Sequence, residues 1–600
     1  MRKRSEILCG AVLLAMLAGC TAKESAGEQG GVPEASPAVT KSIESDAQKT
    51  GEPEDANAEQ SGQQGEDAQQ PEVTQAVPQP TEAPVERDYV VNKYPTVYAD
   101  VPDPDMIRVG ENYYMVSTTM NMCPGVPVMK SVDLVNWEIV NYVYETFEDD
   151  DVTNLENGRD MYAHGSWAAS LKYDEVSGKY YVAFNSNDHG FYIYTTADIE
   201  NGVWEKYFCA RGFHDPALFF EAGNMYVISA SGGNCSIQQL ELDEENGAVR
   251  EIGSSKRLFQ ASGWSLWEGA HAYKVDDYYY IFIIASPQNR WMRTQLCYRS
   301  RNLFDGEWEE KVVYQAGCGG NNAGLAQGGI LQTQHGDWYA FLFQDRGAVG
   351  RVPSILAVDW QDGWPMMGTY DVEGKFHASA DYISKIYLKA GEKGSLITDN
   401  DEFEYSEVDA LKKVWQWNHN PQNDYWSVTA HEGYLRLTAD RAADNIWYAH
   451  NSLTQRTYGP TCQSEVKLLT DGMKPGEYAG ICAVADACGM VGVLCDDNGD
   501  RYIYQAEAEF RAGFEQPNEV LPEKLAQGQE VRLKIAYDFK ADTAEFFYSL
   551  DGENWNTIGT KKKLGFSTST TFMGTRTWLY NYATGEAGGY VDFDYYHIYN

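Results

Sequence analysis

The sequence predicts an all-β protein in which a five-bladed β-propeller is followed by a β-sandwich. A strand pattern that recurs five times between residues 100 and 345 predicts the propeller. Runs of alternating apolar and polar residues after about residue 400 predict the sandwich. Tyrosine (41 residues) and tryptophan (16) are abundant. Such a composition is more typical of a sugar-binding β-protein than of a helical scaffold.

Length and charge limit the domain count and the partners. A chain of 600 residues is too long for one hydrophobic core, so we expect two or three domains and some non-domain sequence. The formal net charge of −41 argues against nucleic acid as a partner, because the phosphate backbone is itself negative.

Residues 1–20 form a targeting segment. Three basic residues at positions 2–4 precede the apolar run 7–17, which is too short to anchor a protein in a bilayer. The run ends in Leu-Ala-Gly-Cys20, which resembles a bacterial lipobox. The resemblance implies cleavage before Cys20, lipidation of its thiol and an extracellular, cell-surface lipoprotein of a bacterium, attached to the membrane through the lipid alone. An ordinary signal peptide with a chance cysteine is the alternative.

Residues 21–88 form an acidic linker. The segment has no aromatic residue, and it holds fifteen acidic and four basic residues. Such a composition cannot bury enough apolar surface to offset its chain entropy, so the sequence predicts a disordered tether.

The propeller prediction, for residues 89–395, rests on a repeat. Residues 103–114 (DPDMIRVGENYY) and 215–226 (DPALFFEAGNMY) match without a gap, and three further copies end at Tyr181, Tyr280 and Tyr339. The five end points lie 45 to 67 residues apart, which is the size of a four-stranded blade. In four units a tryptophan follows 23 to 28 residues later, as expected for an outer hairpin. A sandwich that contains five hairpins is the alternative.

The C-terminal sandwich is predicted for residues 396–600. Alternation is clear in 433–440 (GYLRLTAD) and 531–539 (VRLKIAYDF). Residues 371–400, which join it to the propeller, are neither proline-rich nor low in complexity, so we expect the two domains to pack together.

Five residues are candidates for a shared pocket because the innermost strands of a propeller all start at the central channel. The equivalent starting positions are Asp103, Trp167, Asp215, Glu268 and Gln327. Crowded, buried carboxyl groups acquire different pKa values, so that one donates a proton while another accepts one. Hydrolysis of a glycosidic bond needs such a pair, and a flat indole offers a face to a sugar ring.

Three other residues are candidates for substrate binding. Trp267 precedes Glu268 and is interpreted either as pocket wall or as packing against the next blade. Arg346 and Arg351 could hydrogen-bond sugar hydroxyl groups or form structural ion pairs.

Residues 100–370 resemble glycoside hydrolase family 43, the β-xylosidases and α-L-arabinofuranosidases. The resemblance is carried by VPDPDMIRVGENYYMVS, GSWAASLKYD, HDPALFF, WEGAHAYK and QGGILQTQHGDWYAFLFQDRGAVGRVP. It implies that Asp103 is the general base, that Glu268 is the general acid and that Asp215 orients Glu268 and tunes its pKa. From about residue 400, DEFEYSEV, WQWNHNPQNDYWS and GYLRL resemble the concanavalin A-like jelly roll of some xylosidases in this family.

The resemblance implies a hydrolase that removes α-L-arabinofuranosyl or β-D-xylosyl residues from plant cell-wall oligosaccharides and polysaccharides such as arabinoxylan. Because base and acid come from the first and fourth blades, on opposite sides of the channel, we expect a wide carboxyl separation and an inverting reaction. Two alternatives remain: a surface lipoprotein that binds carbohydrate without catalysis, and a retaining, fructan-active propeller enzyme. The family often places a metal-associated histidine near position 327, where this chain has Gln327. No cofactor or metal ligand is therefore assigned, and a structural calcium ion is left open.

Overall fold

The computed structural model describes residues 87–392, 394, 396–407 and 411–600. The predicted signal segment with Cys20 and nearly all of the predicted tether lie outside these residues. Within the part of the chain described, no helix is long and apolar enough to cross a membrane.

Antiparallel hairpins build the N-terminal domain, because aromatic and β-branched runs alternate with tight turns. In the first blade, for example, Gly110 takes φ 64° at the turn, which glycine adopts at little cost. The first strands are β1 (Val90–Lys93), and for blade 1 β2 (Asp105–Val109), β3 (Asn112–Val116), β4 (Met122–Cys123), β5 (Gly125–Ser131) and β6 (Glu138–Tyr144). Blade 2 contains β7 (Ser166–Asp174), β8 (Lys179–Ser186), β9 (Gly190–Thr196) and β10 (Glu205–Cys209).

The later blades repeat this order. Blade 3 contains β11 (Ala217–Glu221), β12 (Asn224–Ser231), β13 (Asn234–Asp243) and β14 (Ala248–Gln260). Blade 4 contains β15 (Trp264–Val275), β16 (Tyr278–Pro287), β17 (Thr294–Ser300) and β18 (Glu309–Tyr314). Blade 5 contains β19 (Ala326–Gln332), β20 (Trp338–Asp345), a 3₁₀ turn (Gly347–Val349), β21 (Arg351–Gln361) and β22 (Trp364–Tyr370), followed by β23 (Phe376–His377) and β24 (Ile383–Ile386).

Ring closure is visible in the packing and the pairing. Each of the five gaps between neighbouring blades is filled by its own hydrophobic cluster, including the gap between blades 5 and 1. Strand β1 pairs with β24, and the backbone N–H of Val101 donates to Arg351 O at 3.0 Å. A single sandwich has no such set of clusters, so the predicted five-bladed propeller is confirmed.

The C-terminal domain is a sandwich of two antiparallel sheets. Its strands are β25 (Gln416–Asn418), β26 (Trp426–Ser427), β27 (Leu435–Thr438), β28 (Leu453–Arg456), β29 (Thr461–Leu469), β30 (Glu477–Val484), β31 (Cys488–Cys495), β32 (Arg501–Ala508), β33 (Glu519–Val520), β34 (Val531–Asp538), β35 (Thr543–Ser549), β36 (Asn556–Thr557), β37 (Lys562–Lys563), β38 (Arg576–Ala583) and β39 (Tyr590–Tyr599). Two 3₁₀ turns lie at Asn423–Tyr425 and Ile446–Tyr448. Burial alternates residue by residue along β34, as the sequence predicts.

The two domains share backbone hydrogen bonds. Strand β4 of blade 1 pairs with β25, so one sheet of the sandwich continues into the propeller. The buried Asp100 carboxylate accepts from Arg351 N at 2.7 Å and from Gly574 N of the sandwich at 2.9 Å. A Cβ on Gly574 would lie 2.2 Å from Val349 O, so only glycine allows this approach. The expectation that the domains pack together is confirmed.

Candidate active site

The five predicted positions lie at or near the start of the five innermost strands. Asp103 and Asp215 precede β2 and β11, whereas Trp167 and Gln327 are the second residues of β7 and β19, and Glu268 is the fifth residue of β15. Asp103, Asp215 and Gln327 have φ values of 50°, 41° and 65°. Such left-handed backbone is costly for residues other than glycine and often marks a functional site. The same strained backbone conformation therefore recurs near the start of the innermost strand in three blades.

Asp103 is held by two donors. Arg351 Nη1 lies 2.9 Å from both of its carboxylate oxygens, and Thr118 Oγ1 donates to Oδ2 at 2.7 Å. Arg351 is the residue at which β21 begins, directly opposite Asp345 in the register of blade 5. The predicted contact of Arg351 with the site is therefore an ion pair with Asp103.

Asp215 and Glu268 meet at His214. Nε2 of His214 lies 3.0 Å from Glu268 Oε2 and 3.7 Å from Asp215 Oδ2. Burial raises the pKa of Asp215 from its usual 3.8 to about 7; the His214 charge opposes this, and the Glu268 and Asp103 charges add to it. The charge of Asp215 in turn raises the pKa of His214 to about 9, against the effect of burial and with the help of Glu268.

Gln327 and Trp167 complete the pocket. Gln327 Nε2 lies 3.5 Å from Asp215 Oδ2, at the limit of a hydrogen bond, and its backbone N–H donates to Gln295 at 2.9 Å. The Trp167 indole donates to Ala163 O at 3.2 Å, and its ring centroid lies 6.3 Å from that of His214. The structure thus brings all five predicted positions to one end of the channel.

Two predicted binding residues have structural contacts outside the group of three acids. Trp267 is 5% exposed and donates to Tyr298 OH at 3.0 Å within the cluster between blades 3 and 4. Neighbouring residues of a strand point to opposite faces, so a strand that presents Glu268 to the pocket turns Trp267 into the core. Arg346 donates to Gln344 Oε1 at 2.7 Å and to Cys318 O at 2.6 Å. It holds the loop before β19 and makes no contact with the three acids, so its binding of sugar hydroxyl groups stays a prediction.

Phe572 of the sandwich reaches this site, which the sequence did not predict. Its ring centroid lies 4.4 Å from the Arg351 guanidinium carbon and 5.6 Å from the Trp167 ring. Its backbone has φ 53°, and its carbonyl oxygen lies 3.5 Å from Arg351 Nη2. No sequence signal connects a residue this far along the chain to the channel. His214 was also missed, although its place beside Asp215 in the HDP run could have suggested it.

An aromatic and charged rim lies between blades 4 and 5. The loop between β16 and β17 carries Trp291, which is 56% exposed. Arg293 forms two hydrogen bonds with Asp345, at 2.8 and 2.9 Å, and its guanidinium carbon lies 5.8 Å from the Trp291 ring centroid. Asp345 pairs in register with Arg351, which holds Asp103. Trp291 therefore lies on the same end of the propeller as the acids.

Groups that could ligate a metal ion lie at two places near the channel. The potential ligand atoms of His214, Asp215 and Glu268 lie within 4.8 Å of one another, but His214 Nε2 is already the hydrogen-bond partner of Glu268 Oε2 at 3.0 Å. At position 327, where the family resemblance implied a calcium-associated histidine, the Gln327 amide faces Asp215 as a donor. Deeper in the channel, Lys172 Nζ lies 3.0 Å from the buried Asp105 and already supplies a positive charge there.

Chemically, the pocket combines a carboxylate fixed by an arginine with a second carboxylate fixed by an imidazole. Asp103 belongs to the first group and Glu268 to the second, and each comes from a different blade. Two carboxyl groups in distinct electrostatic environments are suited to opposite proton transfers on one substrate.

Comparison with known proteins agrees with this geometry. Residues 92–365 match the family model described as Glycosyl hydrolases family 43, and residues 400–599 match that of the Beta xylosidase C-terminal Concanavalin A-like domain. A beta-xylosidase of Formosa agariphila is 28% identical over 84% of this chain and 89% of its own length. A non-reducing end alpha-L-arabinofuranosidase of Bacteroides ovatus is 26% identical over 67% of this chain and 75% of its own length.

A solved structure supports the whole fold. The bifunctional GH43-CE protein of Bacteroides eggerthii superposes with a TM-score of 0.75 and is 39% identical in sequence. The match covers 86% of this chain and 64% of that one, so this chain spans under two thirds of the bifunctional protein.

Proposed function

The chain belongs to glycosyl hydrolase family 43 and is a glycosidase of the xylosidase and arabinofuranosidase type, and from this premise we propose that it removes pentose residues from plant hemicellulose with inversion of the anomeric carbon. The sugar is α-L-arabinofuranose, β-D-xylopyranose or both, on a polymer such as arabinoxylan. The names of the two relatives cover both sugars.

One observation carries the proposed mechanism: Asp103 and Glu268 belong to separate polar networks. Asp103 is paired with Arg351, and Glu268 is paired with His214 beside Asp215. An inverting hydrolase needs one carboxylate on each face of the sugar, far enough apart (about 6.5–9.5 Å) to leave room for a water molecule. A retaining enzyme needs about 5 Å, so that a carboxylate can attack the sugar directly.

Each residue then has one role. Asp103 accepts a proton from the attacking water as its oxygen bonds to the anomeric carbon, and Glu268 donates a proton to the departing glycosidic oxygen. Asp215 orients Glu268 through His214, whose Nε2 lies near both carboxyl groups. Trp167 offers an indole face to the sugar ring, and Arg351 holds the base in place.

The position of the sandwich supports the removal of single sugar residues from the ends or branches of a polysaccharide. Phe572 lies against both Arg351 and Trp167, so a loop of the second domain narrows the pocket that holds the scissile bond. A pocket with such a wall accommodates a terminal sugar more readily than the middle of a long chain.

The test uses 4-nitrophenyl β-D-xylopyranoside and 4-nitrophenyl α-L-arabinofuranoside, followed by arabinoxylan. We expect hydrolysis of at least one aryl pentoside, and proton NMR of the first sugar formed should show the inverted anomer. Asp103→Asn is the control for contaminating activity. A retained anomer would overturn the assignment of Asp103 as base, and no hydrolysis of either glycoside would leave the carbohydrate-binding alternative.

We also propose that the enzyme is displayed on the bacterial cell surface through a lipid on Cys20. The Leu-Ala-Gly-Cys sequence and the following acidic, aromatic-free segment 21–88 support this. Cys20→Ala should release the protein from membranes and abolish metabolic labelling with palmitate. Unchanged membrane association of the variant would contradict the anchor.

A further inference from the structure

Nε2 of His214 joins two catalytic candidates from different blades. Asp215 and His214 precede the first strand of blade 3, whereas Glu268 lies on the first strand of blade 4. The nitrogen is 3.0 Å from Glu268 Oε2 and 3.7 Å from Asp215 Oδ2. One N–H group is therefore placed between two carboxylates that the fold brings together.

Glu268 needs such a partner because little else fixes it. Its side chain is 31% exposed, and within the described residues its one hydrogen-bond partner is His214. The pairing of β15 with β16 is irregular between Glu268 and His271, and Gly269 takes φ 69°. A glutamate on an irregular strand with an open side has several rotamers available, and most of them point its proton away from a bound substrate.

We propose that His214 is a positioning residue, whose Nε2–H fixes the general acid Glu268 against Asp215. The proposal rests on the proposed glycosidase function, because it assigns a partner to the acid of that reaction. His214 itself is placed by its neighbours: its ring lies 6.3 Å from that of Trp167 at an angle of 56°.

Charge supports the same role. The Asp215 charge, helped by Glu268 and Asp103 and opposed by burial, raises the pKa of His214 to about 9. At neutral pH the imidazole is then protonated, and charge-assisted hydrogen bonds are shorter and stronger than neutral ones. With Arg351 beside Asp103, two cations stand among three carboxyl groups, so a single proton held by one of these carboxyl groups leaves the site close to neutral.

Two substitutions distinguish the contribution of the His214 N–H group from that of the His214 ring. His214→Gln keeps an N–H donor and removes the ring, whereas His214→Phe keeps a ring against Trp167 and removes the donor. On a pentosyl oligosaccharide, whose leaving group needs a proton, we expect the Gln variant to stay within about tenfold of wild type and the Phe variant to lose about a hundredfold in kcat. Both should hydrolyse activated aryl pentosides at nearly the wild-type rate.

The opposite order, with Phe active and Gln inactive, would show that His214 only packs against Trp167. Equal losses on both kinds of substrate would also overturn the proposal, because a misplaced acid matters only where protonation is needed. His164→Gln is the matched control: His164 also lies 2.8 Å from a carboxylate, that of Asp188, but has no contact with the three acids. It should leave kcat unchanged on both substrates.

A measurement that needs no activity completes the test. NMR titration of the His214 imidazole, assigned by its loss in His214→Gln, should give a pKa well above 6.5 that drops in Glu268→Gln. A value near 6.5 in the wild type, or no change in Glu268→Gln, would refute the contact itself. This result stands even if no pentoside is hydrolysed, so failure of the inference and failure of the proposed function can be told apart.

Discussion

Nη1 of Arg351 lies 2.9 Å from both carboxylate oxygens of Asp103, although 248 positions separate the two residues in the sequence. The pair joins blade 1 to blade 5 where the ring closes, and both side chains are buried. Because Arg351 also lies against Phe572, the same guanidinium connects the propeller closure, the candidate base and the second domain.

Removing one partner of this ion pair should destabilise the fold more than removing the charges of both partners. Arg351→Met leaves a buried carboxylate without its cation, which costs about 3–5 kcal/mol of unfolding free energy. Adding Asp103→Asn should recover part of that loss, since the amide carries no charge to solvate. Denaturant unfolding of the two single variants and the double variant measures the coupling, and strictly additive losses would contradict it.

Asp103→Asn and Glu268→Gln should differ in their dependence on the leaving group. Loss of the base should lower kcat by about 10²–10⁴ on every pentoside, because water must always be activated. Loss of the acid should cost as much on oligosaccharides but little on activated aryl pentosides, which leave without a proton. A series of aryl pentosides of graded leaving-group pKa tests this, and parallel behaviour of both variants would argue against the assigned roles.

Asp215→Asn should raise stability at alkaline pH. Burial raises the pKa of Asp215 to about 7, so between pH 3.8 and about 7 the folded state keeps a proton that the unfolded state has released. The contribution of this carboxyl to stability therefore falls as the pH rises through that window, by at most about 4 kcal/mol. The variant should match wild type near pH 3 and exceed it at pH 8 in thermal unfolding.

Asp345→Asn is a control whose effect on stability at alkaline pH should have the opposite sign. Burial would raise the pKa of Asp345, but the charge and hydrogen bonds of Arg293 lower it overall. Its stabilising effect is present above its ordinary pKa and is lost as the pH falls, so this variant should be less stable than wild type at pH 8. Equal pH profiles for the Asp215 and Asp345 variants would count against both assignments.

Phe572→Ala should weaken binding at the proposed pocket wall. The change removes a ring from above the Arg351 guanidinium and from beside Trp167, which we expect to raise KM for aryl pentosides about tenfold. Phe547→Ala is the control, since Phe547 also lies in the sandwich and instead contacts Lys534. An unchanged KM in Phe572→Ala would show that the second domain does not contribute to the pocket.

Trp291→Ala should affect long substrates selectively. The exposed indole lies at the acid-bearing end of blade 4 beside Arg293 and Asp345, where the leaving part of a polysaccharide would pass. Stacking on an aromatic ring adds affinity for the sugars beyond the cleaved bond, so KM should rise on oligosaccharides and stay constant on aryl pentosides. Trp360→Ala, near the β21–β22 turn at the opposite end of blade 5, should change neither.

The sequence alone determined the fold and the acids for one physical reason. In a closed ring of repeated blades, equivalent positions meet at the channel, so the spacing that identifies the repeat also places Asp103, Asp215 and Glu268 together. Strand alternation likewise determined the sandwich, because period 2 is imposed by the pleat. The same alternation could have shown that Trp267, next to Glu268, points into the core.

Tertiary structure alone decided which partners complete the site. Arg351 was a candidate for sugar hydroxyl groups, and the ring closure turns it toward Asp103 instead. Phe572 enters because the sandwich docks at Asp100 and Gly574, a close approach that depends on both surfaces. Repeats fix where strands begin because hydrogen bonding is local and periodic, whereas contacts between domains depend on the shapes of two finished surfaces, which no local pattern records.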